Sequence, residues 1–247
     1  MRGRPGERVL DAMSGVGQQI ARSTRRWPLA AGLVHVGLIC IVSFALFDRP
    51  LARLFHALPA TDAIGFFGTI TGLGLAPLYL VPTGGAWIFC LWRVRTTPYG
   101  DLARRFRHVA DSALYVFLSV ALTGLLTDGL KVTIGRLPPR ALFDHGLYGV
   151  VPFNGHWAAN AFPSGHASTV FAAMTALVFV LPRYDLAWLT LAVLVALSRV
   201  VLASHYLSDV AMGSYIGVAV AIVVHRLFDA RGVDVRLRVG RDHHGAP

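Results

Sequence analysis

The sequence predicts an all-α protein built as a bundle of six transmembrane helices. Three observations carry that expectation. Of 247 residues, 55% are hydrophobic and only 15% are charged, against about 25% charged in soluble domains. Six apolar stretches recur, each near the ~20 residues a helix needs to cross a bilayer. Basic residues concentrate in alternate connections between them, as expected of a multi-pass protein. Backbone groups in lipid must find partners within their own segment, so the spans are helices.

The first span covers 27–47. It follows a basic segment, 1–26, that is long and polar for a signal peptide. The apolar run after it lacks a clear small-x-small cleavage site, so the span is retained. The second covers 73–92, preceded by an amphipathic stretch at 62–71; Pro77 and Pro82 make it irregular. The third covers 113–134, the fourth 165–181, the fifth 186–203 and the sixth 210–227. The chain thus divides into a cytoplasmic basic segment (1–26), one six-span unit (27–228) and a cytoplasmic tail (229–247). The tail, with its His243-His244 pair, is expected to be disordered.

The formal net charge of +10 and pI near 10.6 raise the question of nucleic acid. The positions of the charges answer it. Seventeen of the 23 basic residues lie in 1–26, in the connections 93–112 and 182–185, and in Arg226 and the tail. The other side holds Arg49, Arg53, Lys131, Arg136, Arg140 and Arg199. Topology therefore accounts for the basic balance and puts both termini in the cytoplasm. Connections 48–61, 135–164 and 204–209 face outward, and a bacterial inner (plasma) membrane is the expected location. Cys40 and Cys90 lie at different depths of different spans, which speaks for apolar packing and against a disulfide or metal pair.

Polar residues that bear chemistry gather at the outward span ends. Lys131, the only lysine, closes the third span. Pro163-Ser164-Gly165-His166 opens the fourth. Ser198-Arg199 closes the fifth, and His205 with Asp209 opens the sixth. Ionisable groups beside spans are costly and usually face a wet cavity. His205 and Asp209, four apart, are expected on one helix face; a carboxylate there fixes the imidazole tautomer and frees the other nitrogen as a nucleophile. Ser164 reads as an N-cap, and a helix N-terminus is also an anion site. Gly165 lets a ligand approach the backbone, and His166 can protonate a leaving oxygen. Lys131 and Arg199 are membrane anchors or phosphate ligands when taken singly. Together these residues form a kit for phosphoryl transfer through a covalent intermediate. No carboxylate cluster suggests a metal, so neither metal nor cofactor is expected.

These motifs resemble those of the type 2 phosphatidic acid phosphatase and vanadium haloperoxidase superfamily. Pro163-Ser164-Gly165-His166 matches its second signature in full. Ser198-Arg199, five residues, His205, three residues and Asp209 match the third. The first signature is lysine, six residues, then Arg-Pro; here Lys131 leads instead to Pro138-Pro139. Arg136 and Arg140 flank the gap, and either is a candidate for the missing guanidinium. The resemblance covers roughly residues 60–228. It implies a six-span membrane enzyme with its site facing away from the cytoplasm. It implies that His205 attacks phosphorus, that Asp209 orients it and that His166 protonates the leaving group. Lys131, Ser164, Gly165 and Arg199 would cradle the phosphate oxygens.

The expected activity is hydrolysis of a phosphomonoester or diphosphate of a membrane lipid, with no obligate protein partner. Phosphatidate, phosphatidylglycerol phosphate, undecaprenyl diphosphate and the 1-phosphate of lipid A are the candidate substrates. Phosphotransfer to an acceptor lipid, or a lipid-binding role for a weakened enzyme, are the alternatives, the latter resting on Pro138. Phe143, His145, Tyr148, Phe153 and Trp157 are expected to shape the headgroup entrance or to anchor at the interface.

Overall fold

In the computed structural model, residues 27–59, 61–153 and 160–237 are described. Segment 1–26, Trp157 and the end of the tail with His243-His244 lie outside them. Among the described residues there is no β-strand, only an isolated bridge between Arg136 and Val150. The helices are α1 (Pro28–Val42), a π-helical segment (Ser43–Phe47) and α2 (Asp48–His56). Next come α3 (Asp62–Ile70), a 3-10 turn (Thr71–Gly74), α4 (Pro77–Thr96) and α5 (Gly100–Ile134). The last four are α6 (Pro139–His145), α7 (Gly165–Val180), α8 (Asp185–Val201) and α9 (Leu207–Asp229).

Five helical stretches are long and apolar enough to cross a membrane, and α7 is a shorter apolar helix of 16 residues. These are the six expected spans, with shifted ends. The first does not stop at 47: it passes through the π segment and continues to His56, so much of the expected outer connection is helical. The third begins at Gly100, which converts most of the expected loop 93–112 into helix. Both stretches are polar, and hydropathy alone ends a span where polarity begins. Pro77 sits in the first turn of α4, where its missing N–H costs nothing. The chain breaks just before it, so the amphipathic stretch and the second span are two helices.

Core packing centres on α7 and α9. Ala167, Ser168, Ala172, Ala173 and Ala176 on α7 are fully buried. Gly213 and Gly217 on α9 face that row: a β-carbon on Gly213 would sit 2.5 Å from the Ser164 carbonyl oxygen, and one on Gly217 would meet the Ser168 carbonyl and the Ala172 nitrogen. Small residues at this spacing let two membrane helices approach at backbone distance. Helix α5 carries a buried hydroxyl ladder. Ser119 and Thr123 donate to carbonyls four residues back, while Thr127 donates to Ser168 on α7 at 3.1 Å. The outer faces of α1 and α4 expose Leu33, Ile41, Val81 and Ile88, apolar surface suited to lipid.

Beyond α9 the chain turns back across one end of the bundle. Val235 is buried, its carbonyl accepts from Ser112 at 2.9 Å, and Leu237 N–H donates to Val180 at 2.9 Å. Residues 233–237 of the expected disordered tail are therefore packed. The opposite end carries the polar constellation.

Candidate active site

Four elements deliver the site at that end. Gly135 ends α5 in the left-handed conformation (φ 63°), with its N–H on the Lys131 carbonyl at 2.8 Å. This leaves Lys131 in the last turn, with its ammonium 3.2 Å from Asp128. Ser164 is the N-cap of α7, but its side chain caps nothing; its N–H instead donates to the Asp209 carbonyl at 3.0 Å. That single bond ties the second motif to the third. Gly165 leaves room for Lys131: a β-carbon there would lie 3.1 Å from Nζ.

His205 does not lie on a helix. After α8 the chain makes a turn in which Ala203 takes φ 47°, a conformation costly for a residue with a β-carbon. The N–H groups of Ser204 and His205 both donate to the Arg199 carbonyl, at 3.0 and 3.1 Å. The turn therefore locks His205 beside Arg199. Tyr206 then caps α9, and Asp209 at its third position accepts the Tyr206 N–H through Oδ2 at 2.9 Å. The expected helix face shared by His205 and Asp209 is thus a cap geometry, because the chain must turn before α9 can start. The pair still meets: His205 Nδ1 lies 3.5 Å from Asp209 Oδ2.

Around His205 several buried polar atoms have no protein partner. Among them are Ser164 Oγ and Arg199 Nε. Buried groups of this kind are normally satisfied, so a cluster of them next to Lys131 marks a place for an anion. Arg199 Nη1 donates to Thr71 Oγ1 at 2.7 Å, which fixes the guanidinium. His166 packs against Gly74, where a β-carbon would come within 2.7 Å of it. His166 and Gly165 line a cavity of about 190 Å³ with Gly74, Thr127 and Asp128.

The two arginines expected to replace the missing one do not enter this cluster. Pro138 is the N-cap of α6, and Arg140 is exposed on that helix. Arg136 is buried behind Asp209, on the side away from the anion cluster. Its Nη1 donates to Asp209 Oδ1 and Ser208 Oγ, both at 2.5 Å, and its Nη2 to Asp48 Oδ2 at 2.6 Å and the Tyr148 hydroxyl at 3.2 Å. Burial works against its charge, but the two carboxylates outweigh burial and raise its pKa above the usual arginine value. Both terminal nitrogens of this guanidinium are therefore engaged away from the anion cluster, although its Nε has no partner among the described residues.

Among the aromatics expected at an entrance, Tyr148 instead braces this network, donating to the Phe44 carbonyl at 2.7 Å. Phe143 stacks on His56, with ring centroids 3.8 Å apart. Phe153 and His145 are exposed. Sequence reasoning missed Asp48, Ser208 and Thr71. Asp48 carried a signal, an acid at the end of an apolar run; Ser208 and Thr71 carried none.

Comparison with known proteins gives a consistent result. A model of the PAP2 superfamily matches residues 112–232. A lipid A 1-phosphatase of Rhizobium johnstonii is 32% identical over 193 residues, covering 75% of this chain and 77% of that one. A lipid A 1-phosphatase of Rhizobium etli is 40% identical over 123 residues, 48% of this chain and 53% of that one. Among solved structures, a transmembrane PAP2-type phosphatidylglycerolphosphate phosphatase from Bacillus subtilis superimposes with a TM-score of 0.60 at 20% identity, covering 83% of this chain and 97% of that one. Aquifex aeolicus LpxE gives 0.50 at 20% identity, covering 72% and 94%. The chain belongs to the PAP2 superfamily, among its membrane-embedded lipid phosphatases.

Proposed function

We propose that this phosphatase hydrolyses the 1-phosphate of lipid A, on the extracytoplasmic side of the membrane, through a phosphohistidine at His205. The observation that carries the mechanism is the cluster of unpartnered buried donors, Ser164 Oγ and Arg199 Nε, beside His205 and Lys131. Asp209 near Nδ1 keeps the proton on that nitrogen and leaves Nε2 with a lone pair. Nε2 attacks phosphorus, the bond to the lipid oxygen breaks, and His166 supplies the proton that oxygen needs. Water then displaces the imidazole, giving its proton to His166 and releasing phosphate. Lys131, Arg199, Ser164 and the free N–H groups of α7 hold the oxygens as charge builds.

Two cations instead of three then grip the phosphate, because Arg136 is occupied elsewhere and Arg140 is exposed. Arg140→Ala is expected to keep kcat/KM within about twofold, whereas Arg199→Ala lowers it by about 100-fold or more, on the order of one lost transition-state contact. Steady-state kinetics of the two variants side by side would decide; equal losses would place Arg140 at the phosphate.

The side of the membrane rests on charge. Arg93, Arg95, Arg183 and Arg226 lie at the bundle end opposite the cluster, as expected for the cytoplasmic face. The substrate rests on the names of the two Rhizobium relatives. Purified protein in detergent, given phosphorylated lipid A, phosphatidate, phosphatidylglycerol phosphate and undecaprenyl diphosphate, should release phosphate from lipid A at least tenfold faster than from the others. A faster rate on phosphatidate or phosphatidylglycerol phosphate overturns the substrate assignment, and label appearing in an added acceptor lipid would favour phosphotransfer.

A further inference from the structure

We infer that Asp48, on the first span and outside the residues matched by the superfamily model, is a positioning residue for the nucleophile. The inference rests on the assignment of His205 above. Asp48 is 1% exposed, Arg136 2% and Asp209 0%. The Arg136 guanidinium bridges the two carboxylates, 2.6 Å from Asp48 Oδ2 and 2.5 Å from Asp209 Oδ1. Asp48 also accepts the Ser208 N–H at 3.1 Å, the Ser208 hydroxyl at 2.5 Å and the Ser43 hydroxyl at 2.6 Å. It therefore clamps the first turn of α9, whose third residue is Asp209.

Local backbone brings Asp48 there. The π segment Ser43–Phe47 interrupts the α-helical register just before Asp48. A π-bulge widens one turn and rotates the helix beyond it, and such bulges recur at functional sites. Ser43, Asp48 and the Phe44 carbonyl that receives Tyr148 all belong to this irregular turn or its edge.

The arrangement divides the oxygens of Asp209 between two tasks. Oδ1 is held by Arg136, while Oδ2 takes the Tyr206 N–H and faces His205. Without Asp48, Arg136 has one carboxylate left and closes on both oxygens of Asp209, drawing Oδ2 from the imidazole. Charge leads to the same result. Two carboxylates and one guanidinium leave a net negative charge behind His205, which opposes the positive charge the imidazole gains on phosphorylation. Removing Asp48 cancels it.

The test compares Asp48→Asn and Asp48→Asn/Arg136→Met with wild type and His205→Ala, all as full-length protein in detergent. Asp48→Asn leaves Arg136 paired with Asp209; the double variant removes that guanidinium and returns the net charge behind His205 to that of wild type. Expected for Asp48→Asn are a fall in kcat of about tenfold or more and a KM within about twofold, with the folded state retained by thermal unfolding; the double variant, with no guanidinium to close on Asp209, recovers part of the lost kcat. Asp48→Asn should also move the acid limb of the kcat/KM profile to lower pH, because a negative charge behind His205 has gone. The other charges facing His205, from Lys131, His166, Arg199 and Asp209, are unchanged. A folded Asp48→Asn variant with wild-type kcat, a double variant with kcat no higher than the single one, or the unfolding of both overturns the inference; in the last case the network holds the fold and not the nucleophile. Turnover by His205→Ala would instead overturn the nucleophile assignment.

Discussion

His205→Ala is expected to eliminate phosphate release, with turnover lowered by at least ~10⁴-fold, while the protein remains folded and membrane-embedded. The size follows from the proposed role: when residues act as one covalent unit, removing the nucleophile leaves only the contribution of binding and the anion site. The retained fold reflects the surroundings. His205 Nδ1 makes no hydrogen bond within the protein, so alanine orphans no buried partner. The backbone N–H of residue 205, which closes the turn onto Arg199, survives the substitution. Asp209 is a poorer target for the same test, since its loss leaves Arg136 half-paired in a buried site, a defect worth several kcal/mol of stability. Phosphate release and thermal unfolding of His205→Ala, measured on one preparation, separate chemistry from folding. Residual turnover above about one-hundredth of wild type would require another nucleophile.

The spans, and the meeting of the polar motif residues at one end of the bundle, were legible in the sequence for a common reason. An apolar run of ~20 residues seldom arises except to cross a bilayer, and Ser164, His166, Arg199 and His205 lie at the ends of such runs, where polarity is costly. The helix ends were less legible. Hydropathy measures preference for lipid, and helix 48–56 is stabilised by buried polar contacts at Asp48 instead. The two arginines show a further limit. Spacing along the chain put Arg136 and Arg140 equally near the gap at Pro138, but direction depends on tertiary partners. Arg136 turns toward Asp48, a residue 88 positions away, and no local pattern encodes that pairing. His205 and Asp209 lie near each other across a capped turn and not on one helix face, because a spacing of four fits both.

Gly213→Ala is the second large effect, and it arises far from any reacting atom. One methyl group is added, in a helix, where alanine is otherwise favoured by about 1 kcal/mol over glycine. Here the sign reverses. The new β-carbon would lie 2.5 Å from the Ser164 carbonyl oxygen and 3.3 Å from the Ser164 and Ser168 nitrogens, so backbone must move. Overpacking of this kind costs about 1–3 kcal/mol, which lowers the unfolding midpoint by several degrees. The catalytic loss should be larger than the stability loss suggests. The atoms displaced belong to the N-cap of α7, and the same residue's N–H is bonded to the Asp209 carbonyl. Moving Ser164 away from α9 therefore shifts Ser164 and His166 relative to His205, and a misplacement of about 1 Å can cost about 100-fold in rate. Gly217→Ala, one turn deeper, presses on Ser168 and Ala172 instead. It should reduce stability at least as much while sparing more activity. If the two variants lose activity in proportion to stability, α7 and α9 are coupled only through folding; a loss specific to Gly213→Ala would mean that the close approach of these helices sets the catalytic geometry.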